Sequence, residues 1–264
     1  MFAPRTTSSP ARTASAIRPI VHAKTALLTG PAEGIPDGRG FSPSRTASCT
    51  CRRASAYGPR VTTSSLRPVV LRNGVEIENP QTPVLGFIEA GWVDVGDASR
   101  PGSFGESDLR LANRAGARIS AAEIAAILER RRAIDRALRA IARDASLAGA
   151  VKSVPWPALG QLFDAFADIR GVGFSKMTKA LHPKRPALIP ILDSVVQKYL
   201  EDDDLGVNAP FGARALALVR GYKRDLDRNR GALRAIRQDL ARRNYRLTEV
   251  RILDLLIWSI EAAA

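Results

Sequence analysis

The sequence predicts a mainly helical domain with a small β-containing N-terminal part, and three observations lead there. Apolar residues recur at helical spacing through most of residues 120–260. The Asn73-Gly74 pair, set between the β-favouring runs VVLR and VEIE, signals a short hairpin. Residues 1–65 are rich in Ser, Thr, Ala, Pro, Gly and Arg and have no apolar periodicity. The expected organisation is therefore a basic leader over 1–65 and one helical domain over 66–264. With 264 residues and 45% hydrophobic side chains the chain can bury a core.

The leader cannot bury enough surface to offset the entropy of ordering it, so disorder is expected there. Its composition is also that of a transit segment, a flexible basic tail, or a mis-assigned start with the true beginning near Val61. Cys49 and Cys51 fall in it, too few for a disulfide framework or a four-cysteine metal site. No apolar run is long enough to span a bilayer, so no membrane role is expected.

The formal charge of +14 favours a polyanion, nucleic acid before membrane. Half of it belongs to the leader, with 9 basic and 2 acidic residues. Residues 151–206 balance at 7 and 7, whereas residues 207–246 carry 11 basic and 3 acidic groups. That last stretch reads as helix from Phe211, a break near Gly231, and helix again through Leu240. Its arginines fall off the apolar stripe, either as a phosphate-contacting face or as a solvated one. Aromatic residues at 6% argue against a protein that mainly stacks single-stranded bases.

Taking the domain in order, VLGFIEAGWVDVGD after the hairpin suggests a further short strand, and Ser103–Arg110 turns helical. Ser120-Ala-Ala-Glu123 is a capping box opening a helix whose stripe runs from Ile124 to Ile141. Glu129 with Arg132 and Asp135 with Arg139 are spaced to pair on its outer face. Leu159, Leu162, Phe163, Phe166 and Ile169 mark a helix ending at Arg170, and a second helix begins at Ser175 after Gly171-Val172-Gly173. Two glycines around one apolar residue permit a tight turn, and the free amides of the following helix can meet a phosphate oxygen. Lys176 and Lys179 would supplement that contact, as would Lys184 and Arg185. A last helix over Leu247–Ala262 is apolar all round, with Arg251 and Asp254 as a mostly buried pair.

Ile-x-Gly-Val-Gly followed by a helix resembles the helix–hairpin–helix motif, here over 158–183. The resemblance extends over residues 157–200 to the helix–hairpin–helix DNA glycosylases, whose essential Asp comes twenty residues after the second hairpin glycine. Asp193 stands at that distance from Gly173. The resemblance implies duplex DNA as partner, bound through its backbone by Gly171, Val172, Gly173, Ser175, Lys176, Lys179, Lys184 and Arg185. It also implies N-glycosidic bond hydrolysis with Asp193 as the catalytic group. Bifunctional members carry a lysine two residues past the hairpin; Ser175 occupies that position, as in monofunctional members. Neither cofactor nor resident metal is expected, and the implied place is the bacterial cytoplasm, beside the nucleoid. Asp is equally a preferred helix N-cap, and both roles stay open for Asp193. So do two alternatives: a DNA-binding module without chemistry, and a helical interaction protein whose hairpin only turns the chain. Lys184-Arg185-Pro186 with LIPILDSVV, and Arg-Ile-Leu-Asp-x-x-x-Trp over 251–258, also resemble a group of bacterial proteins of unassigned function.

Overall fold

A computed structural model describes residues 67–91 and 100–261, all within one compact unit, Arg60–Ala264. The leader, with Cys49 and Cys51, lies outside the described residues, as do residues 92–99. The domain is mainly helical with one two-stranded antiparallel sheet, β1 (Val69–Val70) and β2 (Glu76–Ile77), paired Val69 to Ile77 and Val70 to Glu76. The hairpin turn is shifted by one residue from the expected loop. Gly74 N–H donates to Leu71 O at 3.1 Å and only Gly74 of the pair has positive φ (+80°), so Arg72 and Asn73 are central. Gly74 supplies the left-handed residue that closes it.

Within the segment expected as a further strand, residues 92–97 lie outside the described residues, and residues 84–89 are instead part of α1 (Gln81–Glu89). Pro83 lies in its first turn, where a missing N–H costs nothing. Val84 and Ile88, four apart, go into the core toward α10 (Glu249–Glu261). Next comes α2 (Glu106–Arg114), with the Asp108 carboxylate accepting the Gly105 N–H at 2.8 Å. The Ser120 capping box forms as expected: Ser120 Oγ accepts Glu123 N–H at 3.3 Å and Glu123 Oε2 accepts Ser120 N–H at 2.8 Å. The helix it opens is broken at Arg130 into α3 (Ala121–Glu129) and α4 (Arg131–Arg139). Asp135 consequently bonds Phe104 N–H at 2.6 Å and faces Arg131 at 3.7 Å, in place of the expected Arg139.

Helix α5 (Trp156–Asp164) stops six residues before Arg170, and the chain turns through 165–173 before α6 (Phe174–Leu181). Its main neighbours are α8 (Phe211–Arg228) and α4, whereas α6 packs on α2. The two helices around the glycine turn thus serve different parts of the core. After α6 an irregular, proline-rich stretch leads to α7 (Ser194–Tyr199). Then α8 breaks at Asn229, two residues earlier than expected, into α9 (Arg230–Arg242). Asn229 fixes that break by pairing with β1: its Oδ1 accepts Val70 N–H at 2.8 Å and its Nδ2 donates to Val70 O at 2.9 Å. α10 closes the core with Val250, Ile252, Leu253, Leu255, Leu256 and Ile257 all buried. No described helix is long and apolar enough to cross a membrane.

Lys184 and Arg185 are interior residues, which corrects their expected place at a DNA surface. Lys184 Nζ pairs with Asp108 Oδ1 at 2.7 Å, with both side chains essentially fully buried. The Arg185 guanidinium donates to Leu138 O (2.7 Å) and Ile141 O (2.9 Å) at the end of α4, and to Pro101 O and Lys184 O. Basic residues next to proline read as surface in a sequence, but here their donors satisfy carbonyls that the fold has taken from water. Lys184→Met removes the buried ammonium that faces the buried Asp108 carboxylate, so we expect a loss of about 3–5 kcal/mol in urea unfolding. The double variant Lys184→Met/Asp108→Asn, which keeps an acceptor for Gly105, should recover most of it.

Candidate functional site

The turn before α6 is built around Gly171, whose φ of +82° suits glycine. A Cβ there would also run into Glu123 Oε1. Val172 buries its side chain, while Gly171 and Gly173 are exposed. Gly173 is extended and has nothing within 4 Å of a Cβ position, so no internal contact demands glycine there. Ser175 and Lys176 in the first turn of α6 are half-buried. Lys176 Nζ is gripped by both oxygens of Glu123, at 2.7 and 2.8 Å. Burial works to raise the Glu123 carboxyl, but the bonds from Lys176 and Ser120 outweigh it and hold the group below its ordinary value.

One turn further along α6, Thr178 Oγ1 accepts Leu192 N–H at 2.9 Å, joining α6 to the residue before Asp193. Lys179, half-buried, reaches Gly116 O at 3.4 Å in the loop between α2 and α3. Burial pulls its ammonium below the ordinary lysine value; Asp193 opposes that shift, and the nearby cations Arg118 and Arg251 add to it.

Asp193 is the N-cap of α7, with Oδ1 accepting Val196 N–H at 3.1 Å, as its residue type predicts. Its other oxygen, Oδ2, accepts the Trp258 indole N–H at 2.9 Å. The side chain is only 6% exposed. Trp258 belongs to a face of α10 with Arg251 and Asp254, spaced i, i+3, i+7, so one helix stripe meets the stretch 191–193. Asp254 Oδ2 accepts Ile191 N–H at 3.4 Å, and Arg251 Nη1 stands 4.0 Å away.

Asp254 is fully buried, and burial pushes its carboxyl up to about 8 against the pull of Arg251 and of the Tyr222 hydroxyl, with Asp193 adding to the rise. Arg251 Nη1 at 4.0 Å pulls the carboxyl the other way, and burial is the larger effect. The sequence pattern Arg-Ile-Leu-Asp-x-x-x-Trp contained all three residues, but not what they face. Glu123 was legible only as a cap, and its grip on Lys176 is visible only in three dimensions.

The basic stretch 207–246 is largely paired within the chain. Arg214 binds Asp204, Lys223 and Arg230 bind Asp227, Arg224 binds Asp203, Arg228 binds Asp225, Arg237 binds Glu249, and Arg242 and Arg243 share Asp239. Arg220 lies over the Trp156 ring at 5.3 Å. A charged cleft of about 470 Å³ beside α7 and α8 is similarly self-satisfied. There Arg72 bridges Asp203 (2.6 Å) and Asp225 (2.9 Å), and the Tyr199 hydroxyl, pushed up to about 12 chiefly by burial, donates to Asp225 at 3.2 Å. That network ties the hairpin to the helices.

The sequence model of a family of unknown function (DUF6308) matches residues 90–261. No curated protein and no solved structure matches the chain.

The raised Asp254 gives a pH prediction. Between the ordinary carboxyl value of 3.8 and about 8, the folded chain holds a proton that the unfolded chain releases. Stability contributed by this group therefore falls as pH rises through that window, at up to about 1.4 kcal/mol per pH unit, and levels off above it. Asp254→Asn should match the native protein near pH 4 and exceed it increasingly as pH rises to 8 in thermal melts. Parallel melting profiles for the two proteins from pH 5 to 8 would rule this out.

Proposed function

The chain belongs to that family of unknown function, and from its own site we propose that it is a DNA-binding protein of the helix–hairpin–helix glycosylase kind, with Asp193 as the group that assists N-glycosidic hydrolysis. The observation that carries this is the placing of Asp193: a carboxylate fixed by the first turn of α7 and by Trp258, with its backbone tied to α6 through Thr178 and Leu192. A carboxylate held this rigidly is suited to stabilise the positive charge that develops on a sugar as the C1′–N bond breaks and the base leaves with its electrons. It is also suited to take the proton of the water that forms the new C1′–O bond. Lys179, which feels the charge of both Asp193 and Arg118, and Arg118 itself offer cations for the flanking phosphates.

Of the residues assigned to DNA by resemblance, Gly171, Val172, Gly173, Ser175, Lys176 and Lys179 remain in this proposal, and Lys184 and Arg185 leave it. One observation favours a binding module without chemistry: both oxygens of Asp193 already accept N–H bonds in a largely buried setting.

Duplex binding measured from 50 to 200 mM salt should weaken with salt, and Lys179→Ala and Arg118→Ala should each lower the slope by about one. On duplexes carrying damaged or mismatched bases, Asp193→Asn should slow single-turnover base release by about 10²–10⁴-fold while binding stays unchanged. Salt-sensitive binding with no release from any duplex in the panel selects the binding module, and no binding at all overturns both.

A further inference from the structure

The hairpin face already holds an anion, supplied by the chain itself. Glu123 leans from α3 across the Gly171 turn, places both carboxylate oxygens on Lys176 Nζ, and fills the space a Gly171 side chain would need. The ammonium keeps 24% of its side-chain surface exposed and the carboxylate 14%, so the pair sits at the surface edge rather than in the core. A phosphate approaching Lys176 meets a neutralised cation and, within a few ångström, a like charge.

We propose that Glu123 is an autoinhibitory stand-in for a backbone phosphate, and that engagement of duplex DNA by the hairpin requires its carboxylate to give up Lys176. The inference rests on the DNA-binding reading above and adds a direction to it: removing this acid strengthens binding. The pair is well placed to separate, because Glu123 has a second occupation. Its Oε2 also accepts Ser120 N–H at 2.8 Å, so it can release Lys176 while the α3 cap is kept. Nothing stands within 4 Å of a Cβ position at Gly173, three residues before Lys176, so the turn is open on that side.

Glu123→Gln isolates the effect, since glutamine serves the same position of a capping box and loses only the charge. With the full chain and a plain duplex of about twenty base pairs, Glu123→Gln should bind about tenfold more tightly than the native protein, with a salt slope steeper by about one. Glu129→Gln makes the same change in net charge on an exposed residue of the same helix and should leave affinity nearly unchanged. Lys176→Gln should cost little in the native background, where the cation is already occupied, and should abolish the gain in the Glu123→Gln background. Unchanged or weaker binding by a folded Glu123→Gln protein overturns the proposal and leaves DNA binding standing, as does an equal gain in Glu129→Gln. Absence of duplex binding by native and variant proteins alike overturns the DNA reading itself, and the stand-in with it.

Discussion

A buried stretch of irregular backbone imposes the constraint on which the rest of the fold depends. Residues 182–193 run between α6 and α7 without regular helix beyond one short turn, and Leu188, Ile189 and Leu192 within them are fully buried. Proline at 183, 186 and 190 prevents a continuous helix there, so the stretch satisfies only part of its own amides and carbonyls, through the amides of Arg185, Leu188 and Ile189. The His182 side chain and the neighbouring elements serve others. His182 Nδ1 donates to Ile189 O at 2.6 Å, Leu147 N–H reaches Ala187 O, Thr248 reaches Pro186 O, Thr178 takes Leu192 N–H and Asp254 takes Ile191 N–H. Arg185 repays the arrangement by closing off the end of α4. The polar groups in the core are there because the backbone around them has left water.

The same constraint shapes the candidate site. Asp193 ends the stretch, so its position is set from three sides, by α6 through Leu192, by α7 through the cap, and by α10 through Trp258. Asp254, on the α10 stripe, and Asp193, which that stripe meets through Trp258, have different surroundings, one fully buried and pushed toward the neutral form, the other bonded by two N–H donors. Charge elsewhere follows a similar economy. The arginines of α8 and α9 are mostly matched to aspartates of the same or adjacent elements, two of them sharing Asp239. A pI near 10.7 therefore does not mark the basic helices as a binding face.

Local chemistry was legible in the sequence wherever one element answered to its own residues. The Ser120 capping box, the α7 cap at Asp193, the hairpin near Gly74 and the all-round apolar α10 each formed within two residues of expectation. Errors arose where a neighbour decided. The β-favouring run 84–89 became helix because Val84 and Ile88 find α10, and the long helix after Ser120 broke at Arg130, leaving Asp135 to meet Phe104. The helix before the glycine turn ended early, and its two flanking helices took different partners.

By itself the sequence determined the helical class, the capping points, the glycine turn and the twenty-residue spacing to Asp193, because each depends on propensity or hydrogen bonding within a few residues. Only the tertiary structure decided which charges are interior, which face of α10 meets Asp193, and that Glu123 rather than solvent sits on Lys176. Those outcomes depend on which groups far apart in the chain are taken out of water together, and spacing along the chain carries no record of that.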